Sequence, residues 1–175
     1  MKRRHFYTVV GFQILLLLLM IAYRQYTLST GQAIMLHLQR PVDPRSMFSG
    51  NYVLLSYDIS TLDKKKMGIV DAFKYGDTIH VSLSKEGIYW VVKSAGKEIP
   101  DTLYIRGTVT SGWSDDIRVE YGIEQYYIPD SQAKEIENKL RAAEDPGEAA
   151  VEVIVDSNGN AAISQVLLGN EKLTW

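Results

Sequence analysis

A serine followed by a group of lysines is the pattern in this sequence that comes nearest to a catalytic one. Ser46 could act as a nucleophile if a desolvated lysine beside it served as general base. The candidate bases are Lys64, Lys65, Lys66 and Lys74. Three consecutive lysines are typical of a solvated loop, so the pattern favours a surface segment. We assign no catalytic residue and keep a Ser/Lys hydrolase as an alternative function.

Metal binding has less support in the sequence than catalysis. His5, His37 and His80 are scattered along the chain, and there is no cysteine. Structural and catalytic metal sites need several nitrogen, sulfur or carboxylate ligands at close spacing. The sequence also has no glycine-rich phosphate loop. We therefore expect no metal and no cofactor.

Several aromatic residues in the second half of the chain could line a ligand site. Aromatic rings can stack on sugars or on a peptide, although on strands they more often pack in the core. A small-ligand or glycan site therefore remains a further alternative. Its candidate residues are Trp90, Trp113, Tyr121, Tyr126 and Tyr127.

The segment SGNYVLLSYDIS, residues 49–60, contains a pattern that occurs twice. Gly50-Asn51 precedes an alternating apolar stretch, and Gly76-Asp77 precedes another one. Glycine tolerates positive φ, and Asn or Asp can bond to nearby backbone, so both pairs predict a turn that leads into a strand. This repetition favours a structural role for the segment.

The two-residue period of a strand sorts the side chains that follow Gly50-Asn51. Val53, Leu55 and Tyr57 share one face, which we expect to belong to the core. Tyr52 and Leu54 lie on the opposite face and are large for an exposed position. They require either cover from another element or a partner surface.

Alternating or β-branched runs of this kind predict eight strands. They lie at residues 32–39, 52–59, 78–84, 88–94, 102–110, 117–123, 150–156 and 161–168. Asn158-Gly159 predicts a type I′ hairpin turn, and a turn of helix is expected near Val70–Phe73. The fold class is therefore mainly β, with a small antiparallel sandwich or partly open barrel.

One longer helix is expected within residues 130–147. Asp130 is its candidate N-cap and Pro146-Gly147 ends it. This helix is the best internal candidate to cover Tyr52 and Leu54. Its apolar stripe comprises Ala133, Ile136, Leu140 and Ala143.

The N-terminal segment predicts a membrane anchor. An apolar run from Phe6 to Tyr23 is just long enough to cross a bilayer, and no small-x-small cleavage pattern follows it. Three basic residues precede the run and only Arg24 follows closely, so the N-terminus is expected in the cytoplasm. Residues 1–26 are then the cytoplasmic tip and the anchor, in contact with the bilayer through residues 6–23. Residues 27–175 form one extracytoplasmic domain.

The charge balance argues against nucleic acid as a partner. The anchor region holds four basic residues and no acidic one, which leaves 15 basic and 21 acidic residues and a formal charge of −6 in the rest. A nucleic-acid-binding domain is expected to carry a basic surface instead.

Two stretches resemble a bacterial membrane-anchored family named for its G-D-Y-x-x-L-x-Y motif, which usually follows an upstream D-P-R. Asp43, Pro44, Arg45, Gly50, Tyr52, Leu55 and Tyr57 match that pattern. The segment YGIEQYYIP, residues 121–129, is similar to a later segment of the family. Asn51 departs from the family's Asp, so a role for a carboxylate there does not carry over.

The resemblance implies a single span, an outer domain and association with multispanning membrane proteins, and it implies no activity. Signal peptidases offer a weaker similarity, because they also place a Ser-Met pair after an anchor and before a Gly-Asp turn. Their lysine motif is not recognisable here. We interpret the chain as a single-pass inner-membrane protein with an accessory or interaction domain. The candidate interaction residues are Asp43, Arg45, Gly50, Asn51, Tyr52, Leu54, Leu55 and Tyr57.

The charge asymmetry across the span yields a first prediction. A reporter that is active only outside the cytoplasm should be active when fused after residue 175 and inactive when fused before residue 1. A fusion at the C-terminus that is active only in the cytoplasm would contradict the predicted orientation.

Overall fold

The apolar N-terminal run forms helix α1, Lys2–Thr30. The computed structural model describes residues 2–39, 48–49, 52–112, 115–127, 149–168 and 171–173. Among these residues, α1 contains the one segment long and apolar enough to cross a membrane, His5–Tyr23, and none of that segment is buried against the rest of the chain. By length and composition it is compatible with a membrane anchor or a signal sequence.

The remaining described elements are mainly strands, which confirms the predicted fold class. The strands are β1 (Gln32–His37), β2 (Phe48–Ser49), β3 (Tyr52–Leu54), β4 (Thr61–Asp63), β5 (Thr78–Glu86), β6 (Tyr89–Gly96), β7 (Tyr104–Ser111), β8 (Asp116–Glu120), β9 (Gln125–Tyr127), β10 (Ala149–Val155), β11 (Ala161–Leu168) and β12 (Glu171–Leu173). A one-turn helix, α2 (Lys64–Met67), follows β4.

The strands form three sheets in which every pairing is antiparallel. Their orders are β1-β10-β11-β12, β2-β3-β9 and β4-β8-β7-β5-β6. The register within the five-stranded sheet opposes Thr78 to Thr108 and Thr108 to Glu120. One sheet curls into half a barrel, as the prediction of a partly open barrel requires.

Period-two alternation places one face of the main strands in a common core. Residues with at most 2% exposure come mainly from β1, β5, β7, β8 and β10 and include Ile34, Leu36, Ile79, Val81, Ile105, Val109, Ile117, Val119, Val151 and Val153. The alternation is interrupted in β5, where a register shift follows Ser82. Ser82 is buried at this point, and its hydroxyl is satisfied there because it lies 2.7 Å from that of Thr102.

The second copy of the glycine-led pattern is a turn, as predicted. Gly76 has a φ of 86°, and the Asp77 carboxylate accepts a hydrogen bond of 3.0 Å from the backbone N–H of Lys74. This hydrogen bond is the main reason why the pKa of Asp77 lies below its ordinary value. The first copy, Gly50-Asn51, lies outside the described residues.

Two local predictions were wrong. Val70–Phe73 is not helical, because the helical turn lies earlier, where Asp63 accepts from the N–H groups of Lys65 and Lys66 and Gly68 ends the turn at a φ of 62°. Asn158-Gly159 is not a type I′ pair either, since Gly159 has a positive φ and Asn158 does not. Instead, the buried Asp156 carboxylate accepts from the N–H groups of Asn158 and Asn160 and closes a five-residue loop.

The other differences concern short elements. The predicted strand 52–59 is limited to β3, and a 3-10 turn follows at Asp58–Ser60. The strands β2, β4, β9 and β12 were not predicted, because two or three residues are too few to show a period. The helix expected within residues 130–147, with its stripe of Ala133, Ile136, Leu140 and Ala143, lies outside the described residues.

Gly107 yields a prediction about packing in β7. A Cβ atom at this buried position would overlap Cγ1 of Val119 and lie 3.0 Å from the Tyr121 ring. Gly107→Ala should therefore lower the free energy of unfolding by about 1–3 kcal/mol. Urea unfolding of the full chain in detergent, followed by tryptophan fluorescence, measures this change.

Gly96→Ala is the matched control. Gly96 also lies in a strand, and the nearest atom to an added Cβ would be an Asp71 carboxylate oxygen at 3.4 Å. The control should change stability by less than about 0.5 kcal/mol. Equal unfolding free energies of the two variants would contradict this prediction, because they would show that Val119 and Tyr121 accommodate the added Cβ without destabilising the fold.

Candidate functional site

The residues that follow β3 in the motif segment pack into the core. Leu55, Tyr57 and Ile59 are at most 4% exposed, and Ser56 and Asp58 between them are exposed. This alternation is the one that the sequence predicts for the Leu55 and Tyr57 face. Tyr57 also forms an isolated antiparallel bridge with Leu38, just beyond β1.

Two buried tyrosines join the motif segment to residues 121–124. The Tyr57 hydroxyl donates to the carbonyl oxygen of Ile123, and the Tyr121 hydroxyl donates to the carbonyl oxygen of Ile59, each at 2.6 Å. The backbone N–H of Leu55 donates to the carbonyl of Glu124 at 2.7 Å. Each segment therefore satisfies buried carbonyl groups of the other. We call this arrangement the tyrosine pair.

The carboxylate of Glu124 shapes the turn that carries Tyr121. It accepts hydrogen bonds from the N–H groups of Tyr121 and Gly122, at 2.5 and 2.9 Å, and Gly122 has a φ of 80°. Burial, and secondarily the negative charge of Glu124, raise the pKa of both Tyr57 and Tyr121 above the ordinary value. Both phenols therefore stay protonated and act as hydrogen-bond donors in the core.

The other predicted motif residues have different positions. Leu54 is 42% exposed, and its partner in β9 is Gln125. Tyr52 pairs with Tyr127, which is itself 52% exposed. Asp43, Arg45, Gly50 and Asn51 lie outside the described residues, as does the segment expected to cover Leu54. The proposed cover therefore stays a prediction.

Three of the four lysines considered as catalytic bases have other partners. Lys64 Nζ donates to the carbonyl of Gly112 at 2.8 Å, and Lys65 Nζ lies 2.5 Å from a carboxylate oxygen of Asp115. Lys66 Nζ lies 3.8 Å from the Asp63 carboxylate and is largely exposed. This agrees with the solvated segment that three consecutive lysines indicate. Ser46 lies outside the described residues.

The aromatic residues considered for a glycan site do not share one face. Tyr121 belongs to the hydrophobic core. Trp90 and Tyr126 are partly buried and pack against that core. Tyr127 points to solvent. Trp113 lies outside the described residues. Tyr121 is 7% exposed, and its hydroxyl is used inside the core in the hydrogen bond to Ile59.

Metal ligands are not clustered in the part of the chain that the structure describes. No group of three or more histidine or acidic residues there could hold a metal ion. His37 Nδ1 lies 2.7 Å from an Asp58 carboxylate oxygen, and its ring makes an edge contact with Tyr89. His80 Nδ1 lies 3.0 Å from the carbonyl oxygen of Lys97.

A polar cleft that the sequence did not predict lies where β8 ends and the β10–β11 loop approaches β7. Its volume is about 510 Å³, and its polar lining includes Thr78, Arg106, Thr108, Glu120, Glu124 and Asn160. We call it the Arg106 cleft. These residues come from four separate stretches of the chain, so no local sequence signal could have grouped them.

The loop between β10 and β11 orients one side of the Arg106 cleft. The backbone N–H of Arg106 donates to the carbonyl of Gly159 at 2.8 Å, and its guanidinium donates to the side-chain oxygen of Asn160. Among the described residues, no carboxylate lies within ion-pair distance of Arg106. The guanidinium is thus held in place without being neutralised.

The arrangement defines a β-rich domain whose core includes the hydroxyl hydrogen bonds of Tyr57 and Tyr121. A family model described as GDYXXLXY protein matches residues 13–166, most of the chain. The chain belongs to this family. No curated protein and no solved structure matches it.

The tyrosine pair yields a prediction about stability. Tyr57→Phe leaves the buried carbonyl of Ile123 without its donor, and Tyr121→Phe does the same to that of Ile59. Each variant should lose about 1–2 kcal/mol of unfolding free energy in urea titrations of the full chain. Tyr75→Phe, at a residue that is 75% exposed, is the control and should change it by less than about 0.5 kcal/mol.

The raised pKa values give the same variants a pH signature. Below about pH 9, both tyrosines are protonated in the folded and unfolded states, so their contribution is constant. Above about pH 10, the unfolded chain loses these protons while the folded chain keeps them, so stability falls by up to about 1.4 kcal/mol per pH unit for each tyrosine. The double phenylalanine variant should show a shallower fall than the unmodified chain. Identical slopes would mean that the two phenols titrate normally when folded.

Proposed function

We propose that this protein is a membrane-anchored extracytoplasmic accessory domain that associates with a multispanning membrane protein. The observation that carries the proposal is the apolar segment His5–Tyr23, which is joined directly to the β-rich domain and has no cover from it. An apolar surface of this length is stable in lipid or against another membrane protein. The positive charge before the span supports an outer location for the domain.

The buried motif residues support a binding function for the protein rather than a catalytic one. Tyr57 and Tyr121 use their hydroxyls to close the core, and Leu55 is buried beside them. Because these residues stabilise the scaffold, we expect exposed residues elsewhere on the domain to contact a partner.

Exposed apolar residues on two neighbouring loops offer such a surface. Val70, Tyr75 and Ile99 are 97%, 75% and 66% exposed. The two loops are tied together because Asp71 accepts from the N–H of Lys97 at 3.0 Å, and Lys97 Nζ lies 3.5 Å from the Asp77 carboxylate. We call Val70, Tyr75 and Ile99 the loop patch. Large exposed apolar side chains that lie together are typical of interaction sites.

Photo-cross-linking in intact cells tests the proposal. A photoreactive phenylalanine analogue replaces Val70 or Ile99 in the full chain, and the same analogue replaces Lys85 as the control. Lys85 is also exposed and lies near the end of β5. We expect a membrane protein with several spans to be cross-linked at the loop patch and not at Lys85.

Two results would contradict the proposal. Extraction of the full chain from membranes by alkaline carbonate would show that α1 does not anchor it. Cross-linking of the same products at Lys85 as at Val70 and Ile99 would show that the loop patch has no specific partner.

A further inference from the structure

The Arg106 cleft lies beside the end of the apolar span. The side-chain amide of Asn160, which lines the cleft, donates to the Tyr23 hydroxyl at 3.1 Å. Tyr23 is the last residue of the apolar segment His5–Tyr23. Tyrosines at the ends of spans lie at the level of the lipid headgroups, so the Asn160 side of the cleft lies near that level when α1 crosses a bilayer.

Three ionised side chains line the cleft: Arg106, Glu120 and Glu124. Both carboxylate oxygens of Glu124 already accept hydrogen bonds from backbone N–H groups, which leaves Arg106 and Glu120 as the two opposite charges available to a ligand. Neither Arg106 nor Glu120 forms an ion pair with any residue in the described ranges. Ionised groups that face a common cleft without pairing there are complementary to a ligand that carries both charges. A guanidinium matches the oxygens of a phosphate, and a carboxylate accepts hydrogen bonds from a primary ammonium.

The register places neutral hydrogen-bonding groups next to Glu120. Thr78, Thr108 and Glu120 form one row across β5, β7 and β8. All three line the cleft, whose volume of about 510 Å³ lies within the usual range of small-molecule sites. The threonine hydroxyls can bond to phosphate or ester oxygens.

The charge of the domain favours a neutral lipid over an anionic one. The rest of the chain after the anchor carries a formal charge of −6, which repels anionic headgroups. We propose that the Arg106 cleft binds the zwitterionic phosphoethanolamine headgroup of a membrane phospholipid, with the phosphate at Arg106 and the ammonium at Glu120. This inference rests on the proposed function in one respect, namely that α1 lies in a membrane.

Lipid binding to the full-length protein in detergent tests the proposal. Native mass spectrometry measures the Kd of phosphatidylethanolamine, phosphatidylcholine and phosphatidylglycerol with identical acyl chains. Choline has no N–H donor for Glu120, and the glycerol headgroup has no cation. We expect the Kd of the ethanolamine lipid to be lower than the other two by about tenfold, the effect of one charge-assisted hydrogen bond.

Two variants separate the roles of the two charges. Arg106→Gln should raise the Kd of the ethanolamine lipid by about tenfold or more. Glu120→Gln should make the ethanolamine and choline lipids bind equally, because the contact that distinguishes them is lost. Arg118→Gln is the control, since Arg118 is exposed on β8 and does not line the cleft. Arg118→Gln should leave the Kd of each of the three lipids unchanged. Urea unfolding midpoints establish that each variant is folded.

Other results would overturn the proposal. Equal affinity of the unmodified chain for all three lipids, or equal losses in Arg106→Gln and Arg118→Gln, would exclude a specific headgroup site. Soluble glycerophosphoethanolamine that binds as tightly as the lipid would assign the site to a free metabolite instead. These measurements need neither a particular orientation nor a protein partner, so they can fail or succeed independently of the cross-linking experiment.

Discussion

The reciprocal hydrogen bonds of Tyr57 and Tyr121 are the constraint on which the rest of the domain depends. Each hydroxyl crosses the core to a carbonyl of the other segment, so two stretches more than 60 residues apart in sequence satisfy each other's buried polar groups. A buried carbonyl group without a donor destabilises the folded state. Both hydrogen bonds must therefore form, and together they fix the position of each stretch relative to the other. Strands β3 and β9 adjoin these stretches in the chain and pair with each other in the three-stranded sheet.

This constraint explains why the family motif contains a leucine and a tyrosine at alternating positions. Leu55 and Tyr57 share the core-facing side, and the tyrosine supplies the donor that an apolar residue could not. The later segment supplies the second tyrosine and the carboxylate of Glu124, which holds the turn between Tyr121 and Ile123. The two segments that carry the family resemblance are therefore two halves of one structural unit.

A second junction links the domain to its helix. Asn160 bonds to Asp156 within its own loop, to Arg106 on β7 and to Tyr23 on α1. One amide thus connects the end of the apolar span with the charged side of the Arg106 cleft. The lining of the cleft belongs to the β-rich domain, and this hydrogen bond places one side of it beside the end of the apolar segment, which is the observation behind the proposed headgroup site.

The sequence by itself determined the elements whose side chains repeat with a regular period. Alternation in runs such as 78–84 and 150–156 predicted strands, and the long apolar run predicted α1. Gly76-Asp77 predicted a turn because glycine at positive φ and an aspartate acceptor act locally. The sequence also placed Leu55 and Tyr57 in the core. Only the tertiary structure decided which carbonyls the two tyrosines reach, since their partners are distant in sequence.

The same limit applies to the Arg106 cleft and to the short elements. The cleft exists because β8 ends at Glu120 and the β10–β11 loop approaches β7, and both are consequences of sheet pairing. The conformation of the β10–β11 loop depends on the Asp156 carboxylate, which accepts hydrogen bonds from two backbone N–H groups. The Asn-Gly pair alone predicts a type I′ turn and does not show this effect. Local periodicity and turn chemistry are encoded in neighbouring residues, whereas a site made from four distant stretches is defined only when the chain packs.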